Sequence, residues 1–173
     1  FEDAHHGRIS NNTFEDNFFA IYISKSSDCL IENNTIHGKA ESESRSGNAI
    51  HMWYCKDVII SGNTISGHRD GIYLEFVESC EVKDNHSSEN LRYGLHFMFS
   101  NHNQYHDNFF VNNGAGVAVM YSRHVDMLNN VFADNWGSAA YGLLLKDIYD
   151  STIMDNQFSR NTVGLYSEAC NRV

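Results

Sequence analysis

The residues best suited to chemistry lie close together in "RYGLHFMFSNHNQYHDN" (92–108), which holds His96, Met98, His102 and His106. A thioether with an imidazole is a soft ligand set that prefers Cu(I) to harder ions. Met98 and His102 each have a counterpart 22 residues later, at Met120 and His124. His51 lies upstream, in "AIHMWY" (49–54), beside Trp53. The carboxylates Asp84, Asp107 and Asp155 also recur at similar spacing. Two carboxylates about 5 Å apart suit a retaining glycosidase or a calcium site. No Gly-x-Ser-x-Gly, Walker A, His-Glu-x-x-His or Rossmann fingerprint occurs, and no nucleophile–base pair can be placed.

What brings such residues together is a repeat. A small residue followed by alternating apolar positions opens seven units, at Ala20, Ala49, Gly71, Gly94, Gly116, Gly142 and Gly164. The steps between them are 29, 22, 23, 22, 26 and 22 residues. Fourteen residues after each of the first six openings stands an asparagine: Asn34, Asn63, Asn85, Asn108, Asn130 and Asn156. Four consecutive units add another at the nineteenth position, Asn90, Asn113, Asn135 and Asn161. Chance does not hold these offsets while unit length varies by seven residues.

Units of about 22 residues with period-2 apolar segments predict an all-β fold, a right-handed parallel β-helix with Asn-rich corners. Residues 1–173 form one such domain. The chain opens at Phe1, inside a repeat, and is expected to be a fragment of a longer β-helix protein. Asparagine suits corners because it tolerates left-handed backbone. Stacked amides can also hydrogen-bond from coil to coil, as in cross-β ladders.

The register turns the list into a surface. Positions 1 and 3 after each opening face inward, and so does position 11 (Ile31, Ile60, Val82, Tyr105, Met127, Ile153). Positions 2 and 4 face outward and present His51 and Trp53, Tyr73 and Glu75, His96 and Met98, then Ala118 and Met120 on successive coils. Met98 therefore meets Met120 with His96 beside them. His102 meets His124 in a separate column, and His106 lies further round the coil. Either a soft metal bound by His96, Met98 and Met120 or a protein partner accounts for this surface; His102, His124 and His51 are secondary metal candidates. Coils lengthen at "GKAESESRSGN" (38–48) and "WGSAAY" (136–141). Trp136 and Tyr141, with Trp53 and Tyr73, are expected at a partner surface. Asp84, Asp107 and Asp155 directly precede corner asparagines, where Asx residues chiefly satisfy local backbone; they are the candidate acids of an alternative, a carbohydrate-binding or carbohydrate-cleaving β-helix.

The net charge of −10 and the dispersed Lys and Arg argue against nucleic acid. No apolar run approaches the ~18 residues of a membrane span. On the predicted register none of Cys29, Cys55, Cys80 and Cys170 lies opposite another on an adjacent coil, so all four read as small core fillers. With no Cys-x-x-Cys, a structural zinc site is not expected.

The segments "RDGIYLEFV" (69–77), "RYGLHFMFSN" (92–101), "GAGVAVMYS" (114–122), "YGLLLKD" (141–147) and "RNTVGLY" (160–166) are longer than a β-helix repeat requires, and they resemble the NosD proteins. That resemblance implies a periplasmic, non-enzymatic accessory protein for assembly of the copper–sulfur centre of nitrous oxide reductase. The implied partners are an ABC transporter membrane subunit with its ATPase, a copper-chaperone lipoprotein and the reductase itself. The implied cargo is Cu(I) or a sulfur species. The resemblance fixes no ligand; His96, Met98 and Met120 rest on the columns alone.

Overall fold

The computed structural model describes residues 1–138 and 140–173. Among these residues, 21 short strands form three seven-stranded parallel sheets, with successive strands of each coil passing to successive sheets. Sheet I runs from Arg8–Ser10 to Thr152–Met154 and sheet II from Thr13–Glu15 to Gln157–Ser159. Sheet III runs from Ile21–Ser24 through Asp70–Glu75, Tyr93–Met98 and Ala115–Met120 to Val163–Glu168. The parallel β-solenoid of about 22 residues per coil is therefore as expected, and its register is the predicted one. Met98 pairs with Met120, and Ile31, Ile60, Val82, Tyr105, Met127 and Ile153 form one column. Among the described residues the one helical element is a three-residue 3₁₀ turn, Glu43–Arg45, within the first long insertion.

Inward positions on the three sheets make one continuous core, including Ile23, Ile31, Ile60, Leu74, Phe97 and Phe110. Each such side chain contributes roughly 1.5–3 kcal/mol when fully buried. The opening glycines are small because coils touch there. A Cβ on Gly116 would lie 2.4 Å from the Gly142 carbonyl oxygen, and one on Gly71 would lie 2.6 Å from that of Gly94.

The asparagine ladder is present in full. Asn34, Asn63, Asn85, Asn108, Asn130 and Asn156 stack from coil to coil. Each Nδ2, from Asn34 to Asn130, donates to the Oδ1 of the next at 2.9–3.0 Å. Asn12 extends the column by one coil. The reason expected for asparagine needs correction, however. The left-handed residue is the one before each ladder position: Asn33, Gly62, Asp84, Asp107, Asn129 and Asp155 have φ between 53° and 64°. The ladder residue must turn its amide inward, so its predecessor makes the bend. Asp84, Asp107 and Asp155 are exposed bend residues.

The same device recurs elsewhere in the coil. Tyr54, Phe76, Phe99 and Tyr121 are also left-handed, with φ 51–53°. A bulky residue there costs about 1–2 kcal/mol. Ring stacking between successive coils, at centroid distances of 4.7, 5.3 and 5.1 Å, offsets that cost. Cys29, Cys55 and Cys80 are buried just after such bends and, like Cys170, are unbridged. Burial pushes the Cys80 thiol up to about 12.

Candidate functional site

Sheet III positions the candidate residues. On its outer face His96 stands between Tyr73 on one coil and Ala118 on the next, and Met98 stands between Glu75 and Met120. Tyr93 likewise faces Ala115. Large side chains on one coil meet alanines on the next, and a cavity of about 560 Å³ opens beside Ala115. His96, Met98 and Met120 line it together with Arg92, Tyr93 and Trp136. Both insertions reach its rim, the first through Glu43 and the second through Trp136 to Ser138. The polar insertion, for which the sequence argued no role, thus borders the site.

The outward surface is not open as expected. His96 is only 5% exposed, because the rings of Tyr73 and Tyr93 pack against it at 5.1 and 4.7 Å. Met98 and Met120 remain partly exposed. The pocket is therefore a covered recess with two thioethers at its accessible side.

Beneath it lies a charged group that the sequence reading missed. Asp70 is wholly buried, with Arg92 Nε at 3.2 Å, Arg69 Nε at 3.6 Å and His96 Nδ1 at 4.0 Å. Arg92 also donates through Nη2 to His96 Nδ1 at 3.3 Å and lies over the Tyr93 ring. Arg69 Nη2 donates to Asn48 Oδ1 at 3.1 Å. Both Asp70 oxygens, the two arginine Nε atoms and His96 Nε2 are buried without a hydrogen bond of good geometry. Such groups are rare and mark strain or a missing ligand. A signal was available, since Arg69 and Arg92 both stand two residues before an opening glycine. Charges at strand starts, though, usually read as solvated.

The remaining candidates fall elsewhere. His51 shares the outer column of His96 but is separated from it by Tyr73. It stacks on Tyr22 at 5.0 Å, and its Nδ1 accepts a hydrogen bond from Asn48. Burial, reinforced by Arg69 and opposed by Asp70, lowers its pKa to about 4. Burial first, then Glu75 and Asp70, push the Tyr73 hydroxyl up to about 12. His102 and His124 stack at 4.6 Å, but at an exposed left-handed corner outside the recess. Trp53 packs edge-on against Tyr54, and Tyr141 packs on Tyr166. Asp107 is held by His106 Nδ1, and neither it nor Asp84 lines the recess.

The donor set can be tested against a metal. Among the described residues no three His, Cys, Asp or Glu side chains converge. What line the recess together are one imidazole and two thioethers, a donor set that would suit a soft monovalent ion and not a hard one. The nitrogen of that set is His96 Nε2, which is buried and has no hydrogen-bond partner. Ligation through Nε2 requires the proton on Nδ1, where Arg92 now donates. Asp70 Oδ2, 4.0 Å from Nδ1, stands behind the ring but beyond hydrogen-bond distance.

Three comparisons bear on this site. The sequence profile of the family described as periplasmic copper-binding protein (NosD) matches residues 34–173. No curated protein sequence matches the chain. Among solved structures, tailspike protein 2 of Escherichia coli O157:H7 bacteriophage CAB120 superposes with a TM-score of 0.54 at 11% identity. The alignment covers 86% of this chain and 21% of the tailspike, so the chain spans about a fifth of that protein's length. The A-module of mannuronan C-5 epimerase AlgE6 from Azotobacter vinelandii gives a TM-score of 0.46 at 13% identity, over 94% of this chain and 60% of that one. The tailspike likeness establishes the solenoid fold and nothing further, and the second carries no weight.

Proposed function

This chain belongs to the NosD family, and we propose that it is a periplasmic accessory protein that holds Cu(I) as cargo in the recess formed by His96, Met98 and Met120. The observation that supports this reading is the meeting of an outward methionine pair on sheet III with a buried, unpartnered imidazole nitrogen in one cavity. Two thioethers and one imidazole hold Cu(I) without closing its coordination shell, and an open shell exchanges ligands readily. Transfer rather than storage is the function such a site serves. Assembly of the copper–sulfur centre of nitrous oxide reductase is the process that family membership favours. Its transporter membrane subunit and ATPase, the copper-chaperone lipoprotein and the reductase are the proposed partners. Trp53 and Tyr73, on the same outer face, are proposed to meet one of them.

The test is an anaerobic Cu(I) titration against a competing chelator, on the native chain and on Met98→Ala, Met120→Ala and the double variant. Each single change is expected to weaken binding at least tenfold, with the double variant beyond the reach of the competition. Unchanged affinity in the double variant would remove the site while leaving the family membership intact.

A further inference from the structure

Trp136 is the most exposed large apolar side chain among those described, at 74%. It lines the recess that holds His96, Met98 and Met120. An indole left in water is unfavourable, and on a free loop it would fold onto the nearest apolar surface. This one is held. The preceding residue, Asn135, is wholly buried and donates through Nδ2 to Asn161 Oδ1 at 2.8 Å. The following residue, Gly137, is bound at both backbone groups by the hydroxyl of Thr162 on the next coil. Its N–H donates to Thr162 Oγ1 at 3.0 Å, and Thr162 Oγ1 donates to the Gly137 carbonyl at 3.0 Å. These bonds on either side hold the Trp136 backbone at the mouth of the cavity, and the residue is left mostly bare.

A ring so placed beside two thioethers has a chemical use. Indole is the strongest of the side-chain π-faces for cations, and the attraction grows when the cation is desolvated. A monovalent soft ion held by sulfur carries little water. We propose that Trp136 is a further binding residue of the recess, covering a Cu(I)- or Ag(I)-class ion with its π-face and favouring such ions over divalent ones. This inference rests on the Cu(I) reading of His96, Met98 and Met120. It assigns to metal binding a residue that the sequence placed at a partner surface.

Silver(I) is the probe, because it does not change oxidation state during titration. Trp53 is the only other tryptophan, so Trp53→Phe leaves Trp136 as the sole indole emitter. In that background Ag(I) is expected to change Trp136 emission saturably at one equivalent. Trp136→Leu, in the native chain, is expected to weaken Ag(I) binding by about 3- to 30-fold in a chelator competition, the range that cation–π attraction supports. Trp136→Phe should recover part of the loss. Thr162→Val, which removes both bonds to Gly137, should reduce the emission response. If Ag(I) binds and Met98→Ala with Met120→Ala abolishes binding, while Trp136 emission and the Trp136→Leu affinity stay unchanged, the inference fails and the site stands. If no Ag(I) binding depends on Met98 and Met120, both readings fall. Trp136 is exposed, so its substitutions leave the fold intact, and circular dichroism checks this.

Discussion

Replacing Asn108 with alanine should be among the costliest single truncations on the corners, alongside Asn63 and Asn85, whose amides are bonded in the same way. The Asn108 side chain is wholly buried and makes five hydrogen-bond contacts, its two amide hydrogens shared among three acceptors. Nδ2 donates to the carbonyls of Val82 and His106, each at 2.9 Å, and to Asn130 Oδ1 at 3.0 Å. Oδ1 accepts from the backbone N–H and from Nδ2 of Asn85, both at 3.0 Å. After truncation Asn130 Oδ1 keeps the Asn108 backbone N–H, and Asn85 Nδ2 keeps the carbonyls of Ile60 and Lys83. The Asn85 backbone N–H keeps nothing. One orphaned buried donor costs about 1–3 kcal/mol, and the two carbonyls that lose a donor add roughly 0.5–1.5 kcal/mol each. The expected loss for Asn108→Ala is therefore about 2–6 kcal/mol, a large share of the ~5–15 kcal/mol that holds a domain folded. Asn12, at the open end of the same ladder, is the control. Its Nδ2 makes two bonds, to the Ser10 carbonyl and Asn34 Oδ1, and Asn34 Oδ1 keeps the Asn12 backbone N–H. Asn12→Ala should cost under about 1 kcal/mol. Urea denaturation followed by far-ultraviolet circular dichroism gives both values, and native-state hydrogen exchange reports the Asn85 amide directly. Equal losses for the two variants would refute the claim that interior amides carry the coil-to-coil contact.

Three further outcomes follow from local geometry. Tyr105 is wholly buried and its hydroxyl has no partner, so Tyr105→Phe should stabilise the chain by about 1–3 kcal/mol in the same urea assay. Gly116→Ala forces a Cβ to 2.4 Å from the Gly142 carbonyl oxygen and should cost about 1–3 kcal/mol, with a lowered denaturation midpoint. His51 is neutral in the fold because burial, first, and then Arg69 lower its pKa to about 4. Its contribution is fully present above the unfolded value of about 6.5 and is lost as pH falls through about 4. His51→Phe keeps a ring against Tyr22 and Tyr73, so its stability should fall less between those pH values. The difference, discounted for partial exposure, is about 1–2 kcal/mol, and a steeper fall in the variant would contradict the assignment.

Much of the molecule was determined by the sequence alone. A period-2 apolar pattern repeating every 22 residues, with asparagine at a constant offset, admits one solution, because parallel stacking puts equal offsets in one column. That logic placed Met98 on Met120, His102 on His124 and the cysteines out of one another's reach. It could not see what one coil leaves for the next to cover. The burial of His96, the recess beside Ala115, and the charged group of Asp70, Arg69 and Arg92 depend on side-chain volumes summed across three coils and on two loops folding back. The bends were legible as corners, but their left-handed residue was displaced by one, because inward stacking of an amide and a positive φ are incompatible demands on the same residue. Column membership follows from period and is local; enclosure follows from packing between coils and insertions, and only the tertiary structure decides it.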